Sequence, residues 1–342
     1  MDEHRPVLRI GAWTVALAVF LRLLGTGVLD RLTRLPTDPG TLSLFVYLQT
    51  GRKVTLPAKL PVLPLPTPTQ PAPTQPTLPE TTEPQPTQPP SETGITAEDM
   101  SYVNLSYSGN YRPELEPLLL SPLFWDLADG QPRVLILHTH ATECYTAAPG
   151  ESIYLSGDYR TEDPAHNMLS VGEYVAKKLA EGGVGVIHDR TLHDSPSYND
   201  AYVNSRKTVQ AYLEKYPTIQ LVLDLHRDAA GSGGQQLVTV GSVNGQRSAQ
   251  LMLVVGTNES GRNHPNWQQN LALALKLTAV LEREDPGLCR NINLRKERFN
   301  QDLSVGGLIV EVGAAGNTRQ EALLAAGALV EGILKLAKGT AP

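Results

Sequence analysis

Two histidines and a glutamate closely follow an apolar run of the chain. Val134–Leu137 is continuously apolar, and His138, His140 and Glu143 come soon after it. Histidine and glutamate are common ligands of catalytic zinc, which takes three protein ligands and leaves one position for water. Side chains alternate between faces in an extended backbone, so we expect His138 and His140 to point the same way. This segment is therefore predicted to supply part of a metal site.

Two later apolar runs carry one further candidate each. His226 follows the largely apolar run Ile219–Leu225, and Glu311 lies within Leu308–Val312. An isolated carboxylate in an apolar strand is costly to bury, so Glu311 should face a cation, a metal-bound water or a hydrogen-bond network. A carboxylate in that position can activate water and return the proton to a leaving amine. We therefore predict that His140 and His226 are metal ligands and that Glu311 is the general acid/base.

The third metal ligand is left open by the sequence. Glu143 and His138 are the first candidates, and both lie in the same short segment as His140. Glu162 or Asp163, just before a predicted helix, offers a second route to a carboxylate ligand. His188 and His193 are weaker candidates because each adjoins an aspartate that could pair with it to order a loop.

Three residues are candidates for binding substrate. The guanidinium of Arg227 suits bidentate recognition of a carboxylate and could also hold a carbonyl. The alternative is that Arg227 forms a salt bridge with Asp224 or Asp228. Asn258 and Trp267 lie in a later loop that contains a His-Pro-Asn-Trp sequence. They could bind a sugar or a peptide, or could simply shape the loop.

Strands that alternate with helices must position these residues. This order is typical of an α/β domain with a mostly parallel, mixed sheet and helices on both faces. Open sheets of this kind place their chemistry at the carboxyl ends of the strands. The predicted strands are Arg133–His138, Val184–His188, Ile219–Leu225, Gln235–Val243, Ala249–Gly256 and Leu308–Val312. The predicted helices include Asn167–Ala180, Tyr202–Tyr216, Asn270–Glu282 and Thr318–Leu336.

The chain before this domain has a different character. Val7–Leu29 is largely apolar and long enough to cross a bilayer, so residues 1–29 are predicted to form a cytoplasmic stub and a retained signal anchor. Residues 30–55 form a juxtamembrane segment, and residues 56–94 form a spacer rich in Pro, Thr and Gln. Such a spacer should be extended, at about 3.1 Å per residue. We predict that it carries the domain of residues 95–338 on the outer face of the cell membrane.

Composition excludes several classes of protein. The formal net charge of the 342-residue chain is -6, which argues against a general nucleic-acid-binding protein. Cys144 and Cys289 are the only cysteines, so a disulfide framework and a cysteine-rich zinc module are both excluded. Cys144 is interpreted as structural rather than as a metal ligand.

Several motifs, taken together and in order, resemble the stage II sporulation protein P family. They read LILHTHATECY, HDRTLHDSPSYNDAY, LDLHRDA and LIVEVGAAGNTRQEA, and the resemblance covers residues 95–336. It implies a membrane-anchored cell-wall hydrolase similar to the zinc-dependent N-acetylmuramoyl-L-alanine amidases, with roughly six strands in a mixed sheet flanked by helices. The implied substrate is peptidoglycan, cleaved between the muramyl lactyl group and the L-alanine of the stem peptide. An endopeptidase activity on crosslinked stems is implied as well, together with a partnership with a sporulation lytic transglycosylase during engulfment.

Matched residue by residue, the resemblance places His140 and His226 on the family's metal-binding histidines and Glu311 on its Glu-Val-Gly glutamate. Cys144 stands where we would expect Ser, and Phe299 stands where we would expect Tyr. Two other functions compete with the amidase. One is a wall-binding membrane tether without catalysis, which the presence of His140, His226 and Glu311 disfavours. The other is a zinc peptidase acting on proteins, which the absence of a helical His-Glu-x-x-His motif disfavours.

Overall fold

The computed structural model of the chain describes residues 94–123, 125–127, 130–148, 150, 159–229, 231–232 and 235–338. The predicted anchor at 1–29, the juxtamembrane segment at 30–55 and nearly all of the spacer at 56–94 lie outside these ranges. Among the described residues, no helix is both long enough and apolar enough to span a membrane.

Short strands and longer helices alternate through the described residues. The strands are β1 (Leu105–Tyr107), β2 (Pro132–Leu137), β3 (Gly185–His188), β4 (Leu221–Asp228), β5 (Gly231–Ser232), β6 (Gln235–Gln236), β7 (Gly241–Val243), β8 (Gln246–Ser248), β9 (Leu251–Gly256), β10 (Ile292–Arg295) and β11 (Gly307–Ala314). The α-helices are α1 (Leu115–Leu119), α2 (Met168–Glu181), α3 (Ala201–Lys215), α4 (Trp267–Glu284) and α5 (Arg319–Lys338). Short 3₁₀ helices cover Ala97–Tyr102, Tyr198–Asp200 and Gln301–Leu303.

The central sheet has seven strands in the order β1-β10-β9-β11-β4-β2-β3, rather than the roughly six that we expected. Strands β1 and β10, with three and four residues, were not predicted, because they are too short to show a clear sequence pattern. The predicted strand Gln235–Val243 is not part of this sheet, and its residues form only the short strands β6 and β7. Neighbouring strands run parallel except for β9 and β11, which are antiparallel. The sheet is therefore mixed but mostly parallel, as predicted. Two small antiparallel hairpins, β5–β6 and β7–β8, lie outside it.

The larger part of the core lies on one face of the sheet. Alternate strand residues such as Leu221, Leu223 and Leu225 of β4 point to this face and are fully buried. Helices α2, α4 and α5 cover it with side chains such as Val171 and Leu329. Helix α2 starts where its sequence favours a start, since the Asn167 side chain accepts a hydrogen bond from the Leu169 N–H at 3.0 Å.

The opposite face of the sheet is covered unevenly. Helix α3 packs through Val209 against Leu135 and Leu137 of β2 and Val222 of β4. On β9 and β11 the apolar side chains of this face form a separate small cluster, against which Phe299 packs. Helices thus lie on both faces, and the second face holds a covered half and a more open half.

Candidate functional site

The strand register places Glu311 beside His226. The two residues are direct partners on the neighbouring parallel strands β11 and β4. Partners in a parallel pair point to the same face, and Asp224 joins them because it precedes His226 by two residues. This is the face on which α3 packs, since Val222 has the same alternation and belongs to that cluster. Two carboxylates and an imidazole are therefore gathered near the carboxyl ends of two central strands.

The His226 ring is buried and lies between two carboxylates. Its Nδ1 is 3.5 Å from Glu143 Oε2, and its Nε2 is 2.9 Å from Asp224 Oδ1. The second contact is an ion pair, and Nε2 has no hydrogen-bond partner. Burial alone would lower the pKa of His226, and the carboxylates of Asp224 and Glu143 raise it well above its ordinary value. The site therefore attracts positive charge.

Glu143 is held in place by two arginines. The backbone N–H of Arg227 donates to Glu143 Oε2 at 3.3 Å, and Arg160 Nη2 donates to Oε1 at 3.4 Å. Burial would raise the pKa of Glu143, but its contacts with His226 and Arg227 more than offset this and lower that pKa. Glu143 is therefore an ionised carboxylate although it is buried, and it can act as a metal ligand.

His140 brings a neutral imidazole to the same place. Its ring stacks on Tyr198 with centroids 4.3 Å apart and meets the ring of His226 edge-on at 5.3 Å. Its Nδ1 is buried without a hydrogen-bond partner, and the nearest carboxylate, Asp194, is 4.0 Å away. Burial lowers the pKa of His140 to about 4, with His226 adding to the shift. A neutral ring with an unpartnered nitrogen is the form of histidine that binds a metal.

Glu311 is the third residue here with a buried polar atom that lacks a hydrogen-bond partner. Its Oε2 is inaccessible to solvent and has no hydrogen-bond partner. Burial raises the pKa of Glu311, and the nearby Glu143 raises it further against the opposing effect of His226. A buried carboxyl oxygen without a donor favours a proton or a cation beside it.

These residues are of the types that bind a metal, but their side chains are not positioned as a metal site. Among the described residues, no group of three or more His, Cys, Asp or Glu side chains is arranged to hold a metal ion. His226 contacts Glu143 and Asp224 instead. However, His140 Nδ1, His226 Nε2 and Glu311 Oε2 are all buried without a hydrogen-bond partner, which is unusual for polar atoms in a folded interior. Two imidazoles and one carboxylate, as in His140, His226 and Glu143, are also a donor set that catalytic zinc uses.

His138 has a different environment from His140. Its Nδ1 lies 3.0 Å from the carbonyl oxygen of Leu225, and its Nε2 lies 3.0 Å from Nε2 of His188. We expected the side chains of His138 and His140 to point the same way, which requires an extended backbone through both residues. Strand β2 ends at Leu137, and the chain turns from Thr139 onward. The structure therefore places His140, and not His138, with Glu143 and His226.

Arg227 is close to the site but lies in the interior. Its side chain is 1% exposed, and its Nη1 is 3.6 Å from Glu143 Oε1. Its Nε and Nη2 donate to the backbone carbonyls of Cys144 and Tyr159 at 3.0 and 2.8 Å. In this arrangement Arg227 positions Glu143 and ties the loop that follows β2 to the end of β4.

Asn258 and Trp267 lie elsewhere. Strand β9 is antiparallel to β11, with Glu311 paired to Met252. The carboxyl end of β9 therefore lies at the opposite end of the strands from the carboxyl ends of β4 and β11. Asn258 comes two residues after that end. Trp267 begins α4, and its ring contacts Tyr111 with centroids 5.6 Å apart. The structure does not bring these two residues to Glu311 and His226.

The remaining candidates have local partners. Glu162 Oε1 accepts a hydrogen bond from Ser195 Oγ at 2.6 Å, and Asp163 pairs with His166 at 2.9 Å on the surface. Cys144 is a buried free cysteine, and burial raises the pKa of its thiol to about 11. A thiol so reluctant to ionise is a weak metal ligand, because the thiolate is the binding form.

Sequence reasoning missed four polar residues of the site. Asp224 could have been found, since a carboxylate two residues before His226 in a strand must share its face. Asp194 accepts from Thr142 Oγ1 at 2.6 Å and from Arg160 Nη1 at 2.9 Å, and so orders the loop that carries His140. Tyr198 covers the His140 ring, and the guanidinium of Arg160 lies 4.6 Å above Tyr198. No sequence spacing indicated these contacts between distant loops.

Comparison with known proteins identifies relatives of this chain. The family model described as Stage II sporulation protein P (SpoIIP) matches residues 69–334, well over half of the sequence. Stage II sporulation protein P of Bacillus subtilis (strain 168) is 26% identical over 212 residues, which are 58% of this chain and 49% of that relative. The chain therefore spans about half the length of the curated relative that it matches.

Solved structures of amidases show a distant likeness. The N-acetylmuramoyl-L-alanine amidase from Clostridium difficile 630 has 12% identity and a TM-score of 0.36, over 60% of this chain and 96% of its own. AmiC2 of Nostoc punctiforme has 15% identity and a TM-score of 0.36, over 59% and 96%. The CwlD amidase from Clostridioides difficile, solved in complex with the GerS lipoprotein, has 13% identity and a TM-score of 0.33, over 60% and 95%. TM-scores at this level carry no inference about activity.

Proposed function

The chain belongs to the stage II sporulation protein P family, and from that premise we propose that it is a peptidoglycan hydrolase of spore formation. Its proposed reaction is hydrolysis of the amide between N-acetylmuramic acid and the L-alanine of the stem peptide. The observation that carries this proposal is the pairing of Glu311 with His226 across β11 and β4, with His140 and Glu143 beside them. An acid/base carboxylate next to three potential metal ligands is the equipment of metal-assisted amide hydrolysis.

We propose that His140, Glu143 and His226 hold a zinc ion. A zinc ion held there would polarise a carbonyl and lower the pKa of its bound water toward neutrality. Two of the three proposed ligands are already supported by neighbours that fix their orientation. Asp224 contacts His226, and Arg227 and Arg160 hold Glu143. Contacts of this kind are typical of metal centres, where outer residues orient the ligands.

The role of Glu311 in the proposal is to move a proton. From its position beside His226, its carboxylate accepts a proton from the attacking water and donates it to the amine of the departing L-alanine. The lack of a hydrogen-bond partner at Oε2 leaves that oxygen available for this role. A positioned general acid/base of this kind contributes about 10²–10⁴-fold to a rate.

The proposed location follows from the sequence that precedes the domain. We propose that residues 1–29 anchor the chain in the cell membrane and that the spacer presents the catalytic domain on the extracytoplasmic face, where peptidoglycan lies. A Pro-rich spacer of this length would reach on the order of 100 Å, since an extended polyproline chain rises about 3.1 Å per residue. Such a tether would let one anchored enzyme search a thick layer of wall.

Digestion of purified peptidoglycan tests the activity and the metal together. The protein should release material with new L-alanine amino termini and intact muramic acid, and a strong chelator should abolish this release until Zn²⁺ is restored. Glu311→Gln should reduce the rate by about 10²–10⁴-fold while leaving zinc content unchanged, because Glu311 is not a proposed ligand.

A matched control is Glu331→Gln, which changes an exposed glutamate on α5 far from the proposed chemistry. It should digest wall at the wild-type rate. Undiminished digestion by metal-free protein would refute the zinc proposal, and full activity of Glu311→Gln would remove the assigned acid/base.

A further inference from the structure

Half of the second face of the sheet forms a cleft that ends at Glu311. Helix α3 covers this face at β2 and β4, but the same face of β11, β9, β10 and β1 lines an open space of about 280 Å³. We call this space the open cleft. Its floor consists mainly of Ser106, Met252, Val254, Asn293, Arg295 and Ile309.

The residues that form the floor of the open cleft change from apolar to polar with distance from Glu311. On β11 and β9, next to Glu311, the floor is apolar and consists of Met252, Val254 and Ile309. On β10 the apolar residues Ile292 and Leu294 point into the core, so Asn293 and Arg295 face the cleft. A ligand that extends from Glu311 diagonally, across the strands and toward the carboxyl ends of β9 and β10, therefore meets an apolar patch first and then an amide and a guanidinium.

Arg295 is placed to bind a carboxylate. Its Nε donates to Glu297 Oε2 at 3.2 Å, and both side chains are partly exposed, at 37% and 40%. An ion pair this exposed is weak, so a ligand carboxylate can compete with it. The planar guanidinium also presents a pair of parallel N–H donors at its Nη atoms, which matches the two oxygens of a carboxylate. Arg290 is less suited, because its Nη1 donates to Asp228 Oδ2 at 2.6 Å.

We infer that the open cleft binds the stem peptide of the substrate and that Arg295 recognises the free α-carboxylate of its second residue. This inference rests on the proposed function, which places the scissile amide beside Glu311. In the peptidoglycan stem, L-alanine is followed by a glutamate linked through its γ-carboxyl, which keeps its α-carboxylate free. The alanine methyl group matches the apolar patch, and the α-carboxylate matches Arg295.

The strand register sets the distance that the ligand must span. β11 and β10 are separated by two strand intervals, about 10 Å, and because Glu311 pairs with Met252 while Arg295 pairs with Gly256, the two residues are also offset by about 13 Å along the strands. Their Cα atoms are therefore about 16 Å apart, and an extended dipeptide of about 7 Å bridges them when the side chains of Glu311 and Arg295 both extend toward it in the open cleft that they line. The alanine methyl group would then lie over β9, where Met252 and Val254 form the floor.

Binding of a muramyl dipeptide in two forms tests the inference. The first form is N-acetylmuramoyl-L-alanyl-D-glutamate with a free α-carboxylate, and the second carries an α-carboxamide instead. Binding is measured by calorimetric titration of zinc-loaded Glu311→Gln protein, in which hydrolysis is suppressed. We expect the carboxylate form to bind at least about tenfold more tightly, because hydrogen bonds to a charged group are the stronger kind.

Arg295→Gln should remove this preference, by weakening binding of the carboxylate form and leaving binding of the carboxamide form unchanged. Arg190→Gln is the matched control, since Arg190 is another half-exposed arginine paired with an exposed glutamate, Glu173, away from the cleft. It should keep the full preference.

Three results would overturn the inference: equal binding of the two forms, equal weakening of both forms by Arg295→Gln, or binding of neither form. Wall digestion by the wild-type chain, measured in parallel, tests the proposed function separately. A chain that digests wall but shows no preference between the two forms would contradict the role of Arg295 alone.

Discussion

Two histidine pairs in this chain have almost the same ring geometry and opposite surroundings. The rings of His140 and His226 meet at 84° with centroids 5.3 Å apart, and those of His138 and His188 meet at 80° with centroids 5.2 Å apart. In the first pair each ring has a buried nitrogen without a hydrogen-bond partner. In the second pair both nitrogens of His138 have partners, whereas His188 Nδ1 has no hydrogen-bond partner and lies 3.7 Å from Glu173 Oε2.

The tautomers of the second pair follow from these partners. A carbonyl oxygen only accepts, so Nδ1 of His138 must donate to Leu225. Burial lowers the pKa of His138 to about 3, and the neighbouring His188 lowers it as well, so His138 is neutral and its Nε2 accepts from His188. The pair is thus joined by a hydrogen bond and fastens the end of β2 to β4 and β3.

The difference shows that buried carboxylates, rather than ring geometry, distinguish a candidate metal site from a structural contact, since the carboxylate beside His188, Glu173, is 64% exposed. His226 faces Glu143 and Asp224, whereas His138 faces a backbone carbonyl and another histidine. Carboxylates attract a cation, and a neutral hydrogen-bonded pair does not. The comparison predicts that substitutions in the two pairs will affect different properties.

Substitution of His140 or His138 by glutamine should give the largest contrast. His140→Gln should lose zinc and reduce wall digestion by more than about 100-fold, because even residues that only orient ligands change metal affinity by 10–100-fold. His138→Gln should retain zinc and most of its activity but unfold at a lower temperature, because a buried hydrogen-bonded pair is broken. Metal content by mass spectrometry, wall digestion and thermal unfolding measure the three properties.

The reverse pattern would contradict the comparison. If His138→Gln lost zinc while His140→Gln kept it, His138 would be the ligand and the loop after β2 would have to rearrange when the metal binds.

Gly172→Ala should disturb the structural pair alone. A Cβ atom at this position in α2 would lie 2.4 Å from Nε2 of His138 and 2.5 Å from Nε2 of His188. The two rings would have to separate, and overpacking of this kind typically costs about 1–3 kcal/mol of unfolding free energy. Chemical denaturation should show this loss, while zinc content and wall digestion by the folded protein remain near wild type.

Gly327→Ala, in the middle of α5, is the matched control for Gly172→Ala. Its Cβ would come no closer than 3.2 Å to a neighbour, the hydroxyl oxygen of Tyr174, whose side chain is only partly buried and can shift. Alanine favours a helix over glycine by roughly 0.5–1 kcal/mol, so this variant should be slightly more stable or unchanged. Equal stability of Gly172→Ala and wild type would mean that the histidine pair contributes little.

Much of the fold could be predicted because the elements that form it are long and periodic. The predicted helix Asn167–Ala180 differs from α2 by one residue at each end, and Thr318–Leu336 agrees closely with α5. Strand direction could not be predicted, since the apolar run of β9 looks the same in either direction. Because β9 is antiparallel to β11, Asn258 lies beyond the opposite end of the strands from Glu311.

The site was predictable where strand register determines it. His226 and Glu311 each end or interrupt an apolar strand, and parallel pairing places them side by side. The different environments of His138 and His140 were not predictable, because they depend on where β2 ends and on His188, which lies on the neighbouring strand β3 but 50 residues later in the sequence. Contacts of that kind arise from tertiary packing and leave no local pattern.

The smallest expected effect is a change in the pH dependence of stability. Burial lowers the pKa of His188, with Arg190 adding to the shift and Glu173 opposing it. Below the unfolded pKa of about 6.5, the unfolded chain therefore binds a proton that the native His188 does not, and stability falls as the pH decreases.

His188→Gln removes this proton while its amide can still donate to His138. The unfolding free energy of the variant should therefore fall less steeply between pH 7 and pH 5, by up to about 1 kcal/mol per pH unit. Denaturant titrations at several pH values measure this slope, with Glu331→Gln, an exposed position on α5, as the control that keeps the histidine and its neighbours. An unchanged slope in His188→Gln would contradict the lowered pKa, because it would mean that His188 binds its proton over the same pH range in the native and the unfolded protein.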